Sequence, residues 1–145
     1  MMAKISEQYF QRLLNHPNAL EAVSVISGFW SHRADGAKSM FGLSLPEYRC
    51  ELALIYSGEV GNGGHSQFFA NRGHDRINDY IAALDAVSLP DLGCILAKAA
   101  ETPIDLQSLH ELDEQAWSYM SAVEPALQAF LEDNSNQVLQ SERMP

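Results

Sequence analysis

His65, His74 and Asp75 come nearest to a reactive cluster in this chain. A histidine beside a glycine-rich turn has the chemistry of a general base or a metal ligand, because its ring titrates near neutral pH and its neutral form carries a free lone pair. The spacing argues against a metal. Zinc sites draw three or four ligands at short, regular intervals. Here the two histidines stand nine residues apart, with no HExxH pair and no Cys or acidic repeat beside them. A second set, His110 with Glu111, Asp113 and Glu114, reads as the solvated start of a helix. Neither set calls for a cofactor, and no residue is singled out as catalytic.

Gly61-Asn62-Gly63-Gly64 precedes a helical stretch and invites an anion-binding reading, since free N–H groups at a helix N-terminus attract phosphate. A nucleotide loop needs GxxxxGK[ST] or GxGxxG after a strand. Neither pattern occurs, and no lysine follows, although Arg72 and Arg76 are near in sequence. The structural reading is a helix–turn–helix junction. Glycine there permits positive φ or a close backbone approach, and Asn62 tolerates the left-handed region. Asn62, Gln67 and Asn71 are expected to satisfy backbone groups of the turn, with Phe68 and Phe69 anchoring it to the core. The alternative is a small-ligand or enzymatic pocket over Asn62 to Asn71 that uses His65.

Helical periodicity supplies the elements around this turn. Ile5 to Asn15 reads as a helix with Ile5, Phe10, Leu13 and Leu14 inward, ended by His16-Pro17. Asn18 and Glu21 have capping-box form and open a second helix carrying Leu20, Val23 and Ile26. Residues 33–43 read as a polar loop. Ser44-Leu45-Pro46-Glu47 makes another capping box, ahead of a helix presenting Tyr48, Leu52, Ile55 and Tyr56. Further helices are expected over about Asp75 to Val87 and from Pro90 to Ala100. A last long one spans Leu106 to about Glu132, where Pro125 kinks or restarts it. No segment alternates with period two for long enough to be a strand. The expectation is a single all-α domain over 1–145, a compact bundle of about six or seven helices.

Glu59-Val60, Asn62-Gly63-Gly64, Gln67-Phe68-Phe69 and Asn71 resemble the signature of the bacterial DNA mimic protein family. The resemblance runs from about Tyr48 to Asn134 and includes Leu109-His110-Glu111-Leu112-Asp113-Glu114, similar to the family's later acidic segment. Gly61 and His65 stand where the family more often carries Asn and a bulky apolar residue. The resemblance implies a mainly α-helical fold. For the members that are understood, it also implies an acidic surface that occupies the DNA site of a DNA-binding protein. The motif residues themselves are expected to be structural.

Charge is consistent with that implication. The 145-residue chain has a net charge of −10, and residues 100–145 hold nine acidic side chains against Arg143 alone. Such a field repels nucleic acid and anionic membranes and attracts basic partners. The expected partner is a basic DNA-binding protein or a basic toxin, with a homodimer also possible and no direct contact with nucleic acid or membrane. The candidate surface is Glu101, Asp105, Glu111, Asp113, Glu114, Glu132 and Asp133. Between Glu114 and Glu132 lie about 27 Å of helix at 1.5 Å per residue, with the uncharged Ser118, Ser121 and Pro125 in the interval. This helix alone therefore cannot imitate a duplex, and Asp75, Asp79, Asp85 or a second subunit would have to fill the gap. Trp117 falls outside the apolar stripe and is the candidate interface aromatic, whereas Phe29 and Trp30 read as core. Two cysteines, Cys50 and Cys94, do not make a secreted disulfide framework. They are expected as reduced, partly buried thiols of a non-enzymatic cytoplasmic protein.

Overall fold

Capping residues set where the helices begin. The computed structural model of the chain describes residues 4–33, 42–103 and 106–145. Ser6 accepts from Tyr9 N–H at 3.1 Å and opens α1, Glu7–Leu14. Asn18 Oδ1 accepts from Glu21 N–H at 3.2 Å beside the start of α2, Ala19–Arg33. Ser44 and Glu47 form a reciprocal box: Ser44 N–H donates to Glu47 Oε1 (2.8 Å) and Glu47 N–H donates to Ser44 Oγ (3.4 Å). From it runs α3, Leu45–Arg72, with Pro46 tolerated in the first turn. The remaining helices are α4 (Ile77–Ala86), α5 (Pro90–Glu101), α6 (Leu106–Trp117) and α7 (Val123–Asp133).

The protein is all-α, with seven α-helices among the described residues. One strand pair accompanies them, β1 (Ile5–Ser6) parallel to β2 (Arg143–Met144). Two-residue strands are too short to leave an alternating pattern in a sequence. The expected long helix from Leu106 to Glu132 is instead two helices. The chain leaves α6 at Trp117, makes a 3-10 turn over Met120–Ala122 and restarts as α7 with Pro125 in the first turn. A proline lacks the N–H that a helix interior must donate and crowds the preceding turn, so it opens a helix more readily than it continues one. The polar loop expected over 33–43 lies mostly outside the described residues.

Contacts divide the chain into two units. The first comprises Met1–Tyr48 with Leu127–Pro145. Phe10, Val23, Ile26, Trp30, Leu131 and Leu139 are buried in it, while Leu20 is 48% exposed. Ala22 takes the inward position expected of Leu20, so the buried face of α2 is rotated from the one read in the sequence. This core also contains a carboxylate. Glu47 has no exposed surface, and its Oε2 accepts from Trp30 Nε1–H (2.6 Å) and from Leu139 N–H (2.8 Å). A buried charge is tolerated only when donors replace its water. Here the capping box, α2 and the C-terminal segment each supply one. Arg143 continues the tie: its guanidinium lies 4.4 Å from the centre of the Phe10 ring and donates to Ser135 O at 2.9 Å.

The second unit is Arg49–Ala126. In it α4 packs on α5, and α5 on α6. Tyr80, Ala83 and Leu84 of α4 are buried, as are Leu92, Ile95, Leu96 and Ala99 of α5. Phe68 is fully buried, with Tyr56 (5.3 Å, 78°) and Tyr80 (4.9 Å, 86°) edge-on to its ring. Burying a phenylalanine contributes about 2–3 kcal/mol, and edge-to-face rings add to it. Cys50 is buried as expected, whereas Cys94 is exposed, because its position on α5 lies opposite the Leu92–Leu96 face.

Candidate functional site

The helix α3 is bent at the glycines singled out in the sequence. Gly63 (φ −144°, ψ 16°) and Gly64 (φ 75°, ψ −175°) leave helical geometry between two helical arms. Gly64 alone of the turn glycines takes positive φ; Gly61 and Asn62 remain within the first arm. The bend is sharp. Asn71 Nδ2–H donates to Glu59 Oε2 at 2.7 Å and Asn62 Nδ2–H donates to Gln67 Oε1 at 3.1 Å, so both bonds join one arm to the other. In a straight helix residues 59 and 71 would stand about 18 Å apart along the axis. The amide side chains therefore tie the two arms by side-chain bonds, where the sequence suggested caps on backbone groups.

Asp113 of α6 fills the space that the bend opens. Its Oδ1 accepts from His65 N–H at 2.8 Å and from the ring Nδ1–H at 2.6 Å. A Cβ on Gly64 would lie 2.3 Å from Asp113 Oδ2, so this approach requires glycine as much as the φ does. The carboxylate acts as the cap of the second arm, delivered from another helix. Since it can only accept, His65 carries its proton on Nδ1, and its Nε2 accepts from Tyr56 O–H at 2.8 Å. Burial pushes the His65 pKa below its ordinary value against the opposing pull of Asp113. Burial, and secondarily the Asp113 charge, push the Tyr56 hydroxyl up.

Tyr–His–Asp is a sequence of groups that can relay a proton, yet here it is closed. Tyr56 and His65 have no exposed surface, and both ring nitrogens of His65 are engaged within the protein. The reading of His65 as an available base or ligand is corrected accordingly. His65 occupies a position that the family resemblance assigns to a bulky apolar side chain, and it does so as a neutral, fully bonded ring. His74 is exposed and stacks on Phe69 (4.3 Å, 13°), whose ring lies 6.2 Å from that of His65. Among the described residues no group of three or more His, Cys, Asp or Glu side chains is placed to hold a metal ion. Nor is any helix among them long and apolar enough to cross a membrane.

The acidic residues separate by burial and by unit. Asp113, expected on the surface, is 8% exposed and belongs to the bend. It sits on the edge of the apolar stripe, and that position was the hint of its role. Glu101, Glu111 and Glu114 are exposed in the second unit, Glu132 and Asp133 in the first, and Asp105 lies outside the described residues. His110 pairs with Glu114 at 2.9 Å on the exposed face of α6. Trp117 is 40% exposed, and its Nε1–H donates to Val60 O on α3 at 2.7 Å.

A sequence model described as DMP19-like protein matches residues 43–139, about two thirds of the chain. The chain belongs to the DMP19-like protein family. The family region takes in both arms of the bent helix, Asp113 and Trp117, and it also includes Glu47 and Leu139, the two ends of the buried carboxylate tie in the first unit. No curated protein and no solved structure matches the chain. Of the residues that carry the family resemblance, Glu59, Asn62, Gln67 and Asn71 tie the two arms of the bend, Gly63 and Gly64 form it, and Phe68 and Phe69 pack beside it. Two partners of His65 were missed: Asp113, which lies 48 residues away, and Tyr56, nine residues before it, which reads simply as a core position of the preceding arm.

Proposed function

We propose that this protein is a non-enzymatic, acidic interaction protein whose partner is a basic protein, and that the partner's basic surface is one that otherwise takes DNA. One observation carries this reading. The unit Arg49–Ala126 holds twelve acidic and four basic side chains, a net of −8, and from Ala99 to Glu142 the chain contains no lysine or arginine. Glu101, Glu111, Glu114 and Glu124 are exposed in that stretch, so the charge is offered to solvent with nothing of opposite sign interleaved. A field of one sign speeds association with a partner of the other and makes it salt-sensitive. The closure of His65 supports interaction over catalysis, since it removes the one titratable group that the glycine turn offered.

The test is a pull-down from a bacterial lysate at low and high salt, with duplex DNA as competitor. Capture of one basic DNA-binding protein, released by salt and by DNA and reduced at least tenfold by Glu111→Lys with Glu114→Lys, is the expected result. Capture indifferent to charge reversal would overturn the reading.

A further inference from the structure

The outward face of α6 combines acid with a fixed aromatic ring. On a 100° helical wheel His110, Glu111, Glu114 and Trp117 fall within about 120° of one another, opposite Leu109, Leu112 and Ala116. In the unit Arg49–Ala126, Trp117 and Tyr119 are the exposed large hydrophobic side chains among the described residues, at 40% and 37%. Tryptophan is enriched among the residues that carry binding energy at protein interfaces. The Trp117 ring is also not free to turn, because Nε1–H is held by Val60 O at 2.7 Å and His110 packs edge-on at 6.0 Å and 78°. Val60 is the residue whose carbonyl a straight helix would give to Gly64 N–H. The bend in α3 and the orientation of the indole are thus linked.

We infer that this face is a docking site for an arginine-bearing basic segment of a protein partner, with the arginine guanidinium stacked on Trp117 and paired with Glu114 in place of His110. Charge complementarity selects the occupant. Glu114 is three residues from Trp117, about 4.5 Å along the axis, so one planar cation reaches both groups. A guanidinium stacks on an aromatic face and offers a fork to a carboxylate, whereas an ammonium is a compact, strongly hydrated point charge. The chain itself uses this contact, with Arg12 over Tyr9 at 5.7 Å and Arg143 over Phe10 at 4.4 Å. The inference rests on the acidic-interaction reading and adds to it a site and a side-chain preference.

Two dye-labelled peptides of equal length and charge, one alternating arginine with glycine and one lysine with glycine, provide the probe, read by fluorescence anisotropy on the full chain. The arginine peptide is expected to bind about three- to tenfold more tightly. Trp117→Leu should weaken the arginine peptide more than the lysine peptide and so remove that difference. Trp117→Phe, which loses the N–H but keeps a ring, should retain most of it. That variant separates stacking from the strut that Trp117 provides to Val60. Equal affinities for the two peptides, both abolished by Glu111→Lys with Glu114→Lys, would overturn the stacking site while leaving the acidic reading in place. Binding of neither peptide at low salt would overturn both.

Discussion

One step along α6 separates a carboxylate that holds the fold from one that faces solvent. Asp113 accepts two hydrogen bonds from His65, through the backbone and the ring, in a site with almost no access to water. Glu114 has a side chain 63% exposed and pairs with His110 at the surface. Truncating a partner of a buried donor costs the desolvation of that donor, about 1–3 kcal/mol each, whereas an exposed pair contributes little. Asp113→Ala should therefore lower unfolding free energy by about 3 kcal/mol, and Glu114→Ala by less than about 0.5 kcal/mol. Urea midpoints of the two variants measure this, and equal losses would sink the assignment. Of this difference the sequence carried only a hint. Both residues belong to one acidic run, and the partner that distinguishes them arrives from residue 65.

The glycine-rich stretch shows the same limit at the level of an element. Its composition announced a break in helical structure, and a break is there, but the composition did not say which glycine makes it. Gly61 lies in the helical arm with nothing within 4 Å of where a Cβ would stand. Gly64 has φ +75° and would place a Cβ 2.3 Å from Oδ2 of the Asp113 carboxylate, whose other oxygen, Oδ1, accepts both His65 bonds. Gly61→Ala should therefore stabilise by up to about 1 kcal/mol, through helix propensity and reduced freedom of the unfolded chain. Gly64→Ala should destabilise by about 2 kcal/mol or more, since strain at positive φ adds to displacement of Asp113. Thermal melts of the pair decide it; opposite signs are the expected result. The Ser44–Glu47 capping box was legible to the residue because the whole motif is local, whereas at Asn18 only the cap to Glu21 N–H formed, since Asn18 N–H donates to His16 Nδ1. The break before α7 was half legible, as Pro125 marks a restart without fixing where the previous helix stops.

Across the whole molecule, sequence order and spatial grouping distribute the same charge differently. By order, residues 100–145 hold −8; by contacts, the unit Arg49–Ala126 holds −8, and Glu132 and Asp133 belong to the other unit. Asp75, Asp79, Asp85 and Asp91 thereby join Glu101, Glu111, Glu114 and Glu124 as exposed acids of one unit, against Arg72, Arg76 and Lys98 as its exposed bases. Like charges brought within one fold repel, and folding brings them closer than the unfolded chain does. Salt weakens that repulsion, because the screening length falls from about 30 Å at 0.01 M to about 8–10 Å near 0.1–0.15 M. The melting temperature should therefore rise by about 2–4 °C between about 10 mM and about 0.2 M NaCl, equivalent to roughly 1 kcal/mol for a chain of this size. Replacing Glu101, Glu111, Glu114 and Glu124 together by glutamine should raise the low-salt melting temperature and flatten this dependence, since it removes half of the unit's net charge. A melting temperature that fell with salt would mean that ion pairs such as Glu7 with Arg143 outweigh the repulsion. The exposed acids would then lie too far apart to act on one another in folding, and a charge so dispersed would be a weaker match for one compact basic surface.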